Sequence, residues 1–240
     1  AAPYDWFGTD VALDGDSALV SNGSGQVYAL RRNGGTWAEE QILAGSWSFD
    51  ASVALAGGVA IVGDPSDSDG GSSSGAAHVY RRNGSSWSFE TKLTASDAEP
   101  LRYMGASVDF DGTRAILGAG GDDHAGFSAG SAFVFRDTGS GWVEETKLVA
   151  DAPDANDHFG DAVAIADERA VVGAWLADET GLYRGAAYVF ERSGTSWTSA
   201  QLLAPPSLHQ PRPVPGQRGR DRRCCGVDRR MGPEPRHRLH

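Results

Sequence analysis

The residues best suited to chemistry are acidic side chains in short glycine-rich segments. One segment, GDPSDSDGG, contains Asp64, Asp67 and Asp69. Calcium loops supply their oxygen ligands from alternating carboxylates, so these three residues form the metal-site hypothesis, with Ca²⁺ as the ion. Pro65 stands where the first ligand of such a loop should be. Since loop acids are usually solvated, the sequence favours solvated carboxylates over a calcium site, and we predict no other cofactor.

Two later segments carry further acids, and one of them adds a histidine. A histidine beside two aspartates resembles a metal-binding pair, but one histidine without a second is weak evidence for such a site. We therefore predict ligand contacts rather than a metal centre for these residues, because loops on a rigid scaffold are common binding sites. The candidates are Asp122, Asp123, His124, Asp178 and Glu179.

The tryptophans divide into two groups. Trp175 and Trp47 have no counterpart at regular spacing, so we predict that they are exposed and available for ligand contact. The other group recurs in one sequence context, which favours packing between strands or structural repeats over stacking on a carbohydrate. Its members are Trp37, Trp87, Trp142 and Trp197.

Two segments match the hydrolase pattern G-x-S-x-G, at 71–75 and 126–130. The pattern works in hydrolases because a strand-to-helix turn lifts the serine above a sheet. Both segments instead lie in loops of small residues that lead into a predicted strand. No histidine and aspartate are placed to complete a triad, so we predict that the protein is not an enzyme.

Charge separates the chain into two parts. The formal net charge is −11, but residues 206–240 hold nine arginines against three acids, which leaves −17 for residues 1–205. An acidic surface with only two lysines, Lys92 and Lys147, stays hydrated at high salt and suggests a saline habitat. Phosphate needs cations, so we predict no nucleic-acid partner for the acidic part. No apolar run is long enough to cross a bilayer, and we predict no membrane insertion.

A repeat organises the acidic part. An opening dipeptide appears at Phe7-Gly8, Phe49-Asp50, Met104-Gly105 and Phe159-Gly160, and each copy ends near one of the recurring tryptophans. The last three copies are 55 residues apart. The first is shorter, with its missing residues confined to two loops, as in a repeated structural unit. We place the copies at about 7–48, 49–103, 104–158 and 159–205.

Each copy predicts four antiparallel β-strands. Asp-Gly or Gly-Gly separates two apolar runs, which is a strong hairpin signal, and the unbroken second run, such as 59–63, predicts a strand buried on both faces. A third strand and a turn such as Asn83-Gly84 lead into a fourth, at 87–93 in the second copy. Four strands in about 50 residues, repeated, predict the blades of an all-β propeller. A β-solenoid and a β-sandwich explain the repetition less well.

The pattern FG…VAI…AVVGA…GAAYVF resembles the FG-GAP repeat, the blade motif of integrin α-subunit propellers and of many bacterial and archaeal surface proteins. The resemblance covers residues 7–205. It implies a propeller, commonly of seven blades, that is exported or surface-borne and used for recognition. Because the chain lacks an initiator methionine and a leader, we expect any export signal to lie upstream of residue 1.

One feature departs from the integrin pattern. Integrin-type blades often bind Ca²⁺ in the connection between their first two strands. Here that connection is a tight turn, such as Asp111-Gly112-Thr113, which is too short to surround an ion that needs six to eight oxygens. The calcium ligands of the family are therefore not carried over to this chain.

The repeat stops at Pro205, and an Arg/Pro-rich tail with Cys224 and Cys225 follows. A disordered basic tail and a nucleic-acid or membrane arm are two interpretations. A third explains more: translated one base later, the codon for Val214 permits phenylalanine, 55 residues after Phe159, and those at 218–220 permit Val-Ala-Val. We expect the tail to be the product of a frameshift, which sequencing of the coding DNA tests directly.

These observations predict a non-enzymatic extracellular or cell-surface module that binds a protein or a glycan through its loops. A structural spacer and a glycan-processing propeller enzyme are the alternatives. Four blades are fewer than the resemblance implies for a closed ring, so we also expect exposed apolar faces at both ends and self-association.

Overall fold

The computed structural model describes residues 5–45, 47, 51–177 and 184–204. The opening dipeptide Phe49-Asp50, the contact candidates Asp178 and Glu179, and the tail from Pro205 lie outside the described residues. Contacts along the chain separate Ala1–Pro205 from Pro206–His240, and all the elements below belong to the first unit.

In the described ranges, sixteen strands form four antiparallel sheets of four strands each, and the strands of each sheet follow chain order. Blade 1 contains β1 (Val11–Asp14), β2 (Ser17–Ser21), β3 (Val27–Asn33) and β4 (Thr36–Ile42). Blade 2 contains β5 (Val53–Ala56), β6 (Val59–Asp64), β7 (Ala76–Asn83) and β8 (Ser86–Leu93). Blade 3 contains β9 (Ser107–Phe110), β10 (Arg114–Ala119), β11 (Ser131–Asp137) and β12 (Trp142–Leu148). Blade 4 contains β13 (Phe159–Ala166), β14 (Arg169–Ala174), β15 (Ala186–Ser193) and β16 (Ser196–Leu203).

The predicted hairpins are confirmed. In blade 2, Ala56 pairs with Val59 across a two-residue turn of Gly57 and Gly58. Both glycines have positive φ, +57° and +77°, as a tight turn that matches the twist of its strands requires. The described residues contain no helix long and apolar enough to cross a membrane.

Neighbouring blades pack face to face through their first strands. β5 contacts both β1 and β9, and β9 contacts β13. The second strands β6 and β10 are buried along their whole length, which confirms the prediction from their unbroken apolar runs. The chain is therefore an open series of propeller blades, because the first and last blades do not close on each other.

A β-bulge recurs at one position between the third and fourth strands of every blade. In the first three blades the unpaired residue is a glutamate, namely Glu40, Glu90 or Glu145. A bulge redirects a side chain, and each glutamate accepts a hydrogen bond from the indole Nε1 of the next blade's closing tryptophan, at 2.8–3.2 Å. The expectation that these tryptophans pack between blades is thus confirmed for Trp87, Trp142 and Trp197.

Candidate ligand-binding face

One end of the blade series is built from loops that lock together. Loops 65–75 and 120–130 join second and third strands, and connectors 94–103 and 149–158 join successive blades. The amide of Tyr103 donates to the carbonyl of Ser73, and 55 residues later the amide of His158 donates to the carbonyl of Ser128, both at 3.1 Å. These four segments, together with Trp175 after β14, are called the loop face.

Backbone conformation marks the same positions in two successive blades. Six non-glycine residues of the loop face have φ between +50° and +68°, a region that L-residues seldom occupy. They form three pairs 55 residues apart: Ser73 and Ser128, Leu101 and Asn156, Tyr103 and His158. Non-glycine residues held in this region concentrate at functional sites, where the surrounding structure maintains the strain.

Large side chains project from this strained backbone into solvent. Leu101 is 53% exposed and Tyr103 42% exposed, and Phe127 beside Ser128 is 68% exposed. Trp175 is 59% exposed, and its ring lies 5.9 Å from that of His158. Aromatic rings combine a large apolar surface with few rotatable bonds, so such a row can bind a sugar ring or a protein side chain.

Asp122 lies beneath this surface rather than on it. It is 1% exposed, and its Oδ2 lies 2.8 Å from Lys147 Nζ and 3.3 Å from Arg102 Nε. Burial would raise the pKa of Asp122, but hydrogen bonds from Lys147 and Ser131 and the charge of Arg102 outweigh it, so the pKa is lowered. A carboxylate held in this way stays charged at neutral pH and fixes the loop from below.

The neighbours of Asp122 occupy different surroundings. Asp123 is exposed, and its Oδ1 accepts a hydrogen bond from the Ser128 amide at 2.7 Å. His124 Nδ1 lies 3.6 Å from Asp122 Oδ1. Burial lowers the pKa of His124, which favours the neutral imidazole. Of the candidates in this loop, Asp123 is the carboxylate that solvent and ligands can reach.

The three aspartates predicted as metal ligands contact two different basic side chains. Asp67 Oδ2 lies 2.9 Å from Lys92 Nζ, and Asp69 forms a second ion pair with the same ammonium group. Asp64 is buried instead beside His78, whose Nε2 lies 3.7 Å from Asp64 Oδ2. The possible ligand atoms of Asp64, Asp67 and His78 lie within 4.8 Å of one another. A set containing imidazole suits a transition metal better than calcium, which prefers oxygen ligands throughout.

Trp47 corrects one prediction. It was expected to be exposed, yet it is 6% exposed and packs against the rings of His78 and Tyr80, with centroids 6.2 and 6.1 Å away. Trp47 and Tyr80 form part of the core between blades 1 and 2. A tryptophan without a repeat counterpart can therefore still belong to the core.

Sequence reasoning did not select Leu101, Tyr103 or Phe127. A usable signal was present, because the residue before the opening dipeptide is Trp6, Tyr103 or His158 in three of the copies, and each has positive φ. Aromatic and imidazole side chains at one repeat position, directly before a glycine-containing turn, indicate a row of exposed rings.

Comparison with known proteins identifies the repeat. The family model described as FG-GAP repeat matches residues 87–135 and 142–190. Each match runs from the fourth strand of one blade through the third strand of the next, so it spans a junction between blades. No curated protein matches the chain. Among solved structures, the chain is similar to the crystal structure of the computationally designed Ika4 protein, with 13% identity and a TM-score of 0.47 over 77% of this chain and 91% of that chain.

Proposed function

Because the FG-GAP repeat model matches two of its blade junctions, we propose that the chain is a non-enzymatic recognition module at the cell surface or outside the cell. Its loop face binds a protein or a glycan. The observation that carries the proposal is the exposure of Leu101 and Tyr103, both on left-handed backbone, together with that of Trp175. Rigid loops that display aromatic rings are the usual basis of specific recognition.

The charged side chains at the loop face indicate which kinds of partner it can bind. Arg102 is buried, and Lys92 and Lys147 are ion-paired with aspartates, so the basic groups of the loop face are already neutralised. Asp123 remains exposed to solvent. A partner that offers hydroxyl groups or cations, such as a neutral glycan or a basic protein surface, complements this arrangement, whereas phosphate groups do not.

Two features support a role without catalysis. Asp122, the most deeply buried carboxylate of the loop face, has a lowered pKa and so is a poor proton donor at neutral pH. Ser128 lies in one of the G-x-S-x-G segments, but its amide bonds Asp123 in a strand-entry loop, a context unlike the strand-to-helix turn of hydrolases.

The test is binding to glycan and matrix-protein arrays, followed by affinity measurement with any ligand found. We expect Tyr103→Ala and Trp175→Ala each to weaken binding about tenfold or more, as loss of a contact aromatic costs about 1.4 kcal/mol or more. Phe89→Ala is the matched control, because Phe89 is 54% exposed on strand β8, outside the loop face.

Two results would contradict the proposal. One is a ligand whose affinity is unchanged by both loop-face substitutions, and the other is the absence of any ligand on either array. The second result would favour the structural spacer.

A further inference from the structure

The outward face of blade 4 is an uncovered copy of the faces that blades 1–3 bury. The fourth-strand leucines Leu43, Leu93 and Leu148 are 2–3% exposed, but their counterpart Leu203 is 43% exposed. In the second strand, Ile116 is fully buried and its counterpart Val171 is 37% exposed. Blade 4 thus presents an apolar face that in every other blade is covered by the next one.

The opposite face of blade 1 likewise exposes apolar side chains whose counterparts in later blades are buried. Phe7 is 54% exposed, whereas its counterparts Met104 and Phe159 are fully buried against the preceding blade. Leu13 is 68% exposed, and its counterpart Ile165 is 5% exposed. Among the described residues, no blade covers this face.

The closed junctions show how these two faces fit together. Met104 forms a parallel bridge with Gly75 of the blade before it, and Phe159 forms the equivalent bridge with Gly130. The following glycine then lies against a glycine of the second strand: a Cβ on Gly118 would come within 1.8 Å of the Gly160 carbonyl oxygen. At these two junctions, the opening dipeptide of one blade therefore docks into a socket made by two glycines of the previous blade.

Blade 4 has this socket, and none of the residues that the structure describes occupies it. The counterparts of the two socket glycines are Gly173 and Gly185, and they line an open cleft of about 430 Å³ beside Ala162 and Trp175. A Cβ on Gly173 would meet only Ala162 of its own blade, at 3.4 Å or more. The space that the next dipeptide occupies in the other junctions is free here.

The two surfaces that lack a partner, around Gly8 and around Gly185, already have the backbone conformation of the closed junctions. Gly8 follows Phe7 and has φ of +98°, between the +90° of Gly105 and the +103° of Gly160, although a Cβ on Gly8 would meet no atom within 4 Å. Gly185 has φ of +71°, close to the values of +81° and +84° at Gly75 and Gly130. Little conformational entropy remains to be lost when such preformed surfaces associate.

We propose that two copies of this chain associate head to tail, with the Phe7-Gly8 dipeptide of one copy docked in the Gly173–Gly185 socket of the other. The occupant is a second copy because the same chain carries both halves of an interface that it already forms within itself. Association covers Leu203 and Val171 of one copy with the face that contains Leu13 of the other.

Two polar contacts of the internal junctions are missing from this interface. Ser107 Oγ donates to the Gly160 carbonyl at 2.8 Å, but the counterpart of Ser107 in blade 4 is Ala162. The bulge glutamate that binds the next tryptophan is replaced by Ala200. The interface is therefore mainly apolar and lacks those hydrogen bonds, so we expect a concentration-dependent equilibrium rather than a permanent complex.

Sedimentation velocity of the full chain over a range of concentrations tests the proposal. We expect wild type to move from the 25.2 kDa monomer toward larger species as its concentration rises. Gly173→Ala blocks the socket, and Leu13→Glu places a charge on the docking face, so each variant alone should remain monomeric. A 1:1 mixture of the two should form a heterodimer, because one intact socket and one intact docking face remain.

The control is Val143→Glu, which adds the same charge at a position 42% exposed on β12, away from both faces, and should leave association unchanged. Circular dichroism confirms that each variant is folded. A monomeric wild type overturns the proposal, as does a Gly173→Ala variant that still associates. If Leu13→Glu associates like wild type, or if the mixture stays monomeric, the pairing is not head to tail and the proposal fails.

Discussion

On its side facing blade 4, blade 3 buries Ile116 completely, whereas Val171, 55 residues later in blade 4, is 37% exposed. The same pair of blades differs beneath the loop face. Blade 3 has Asp122 bound to Lys147 at 2.8 Å, and blade 4 has Ala177 and Leu202 at the equivalent positions. Blade 4 therefore folds without an ion pair at this place, where Ala177 is buried and Leu202 is 39% exposed.

This difference between the two blades shows what the ion pair contributes to stability. A buried ion pair gains little over an apolar pair of similar volume, because desolvation offsets the attraction between the charges. Removal of one partner alone is costly, since the other charge stays buried. Blade 3 therefore depends on both members of its pair, and blade 4 shows that the fold does not require them.

The largest effect should come from breaking that pair. Asp122→Ala removes one of the two carboxylates that Lys147 and the 3%-exposed Arg102 side chain share, the other being Asp97, and we expect a loss of about 3 kcal/mol in unfolding free energy. Asp122→Ala with Lys147→Leu recreates the pair of blade 4 and should recover a large part of the loss. Urea denaturation measures both.

Asp123→Ala is the control for that series, because Asp123 is exposed and its loss removes one hydrogen bond to the Ser128 amide. We expect a cost of about 1 kcal/mol. The proposed difference between blades 3 and 4 would be contradicted if Asp122→Ala lost no more unfolding free energy than Asp123→Ala. It would also be contradicted if the double variant were less stable than Asp122→Ala alone.

In blade 4, we expect removal of the Asp161 charge to change stability by less and in the opposite direction. Burial raises the pKa of Asp161, although His158 and Trp175 partly counteract it. A raised carboxyl pKa means that the charged form weakens the fold above the folded-state pKa, and that this penalty disappears as the pH falls below the unfolded value of about 4. Asp161→Asn should therefore raise the melting temperature slightly at pH 7.

The pH dependence distinguishes the effect of the Asp161 charge from a change in stability that has another cause. The advantage of Asp161→Asn should shrink toward zero on acidification. The lowered pKa of Asp122 has the opposite linkage: its stabilisation is present above the unfolded value of about 4 and is lost as the pH falls through the lower folded value. If Asp161→Asn lowers stability at pH 7, or if its effect persists in acid, burial does not control this carboxyl.

The strands and their repetition were predictable because they depend on local patterns. Gly57-Gly58 and the unbroken run of β6 specify a turn and a buried strand without knowledge of the rest of the chain. The blade junctions were partly predictable, since the tryptophans recur at one position. Their glutamate partners were not, because a β-bulge that redirects Glu90 toward Trp142 is visible only in the paired strands.

The candidate site was less accessible to sequence reasoning. Asp122 and Asp123 are adjacent in sequence, yet one lies below the loop and the other on its surface. Which of two neighbouring acids is buried depends on Lys147 and Arg102, which approach from other strands and connectors. The 42% exposure and the left-handed backbone of Tyr103 are likewise not indicated by its residue type alone.

The central claim is that blades 2 and 3 receive the opening dipeptide of the next blade in a glycine socket, and that in the described part of the chain the same socket of blade 4 is empty. Its most direct test compares the unfolding free energies of Gly118→Ala and Gly173→Ala at a concentration where the chain is monomeric. The added methyl group of Gly118→Ala overlaps the Gly160 carbonyl and should cost about 1–3 kcal/mol or more, while Gly173→Ala should stay within about 0.5 kcal/mol of wild type. Equal losses at the two positions would contradict the account.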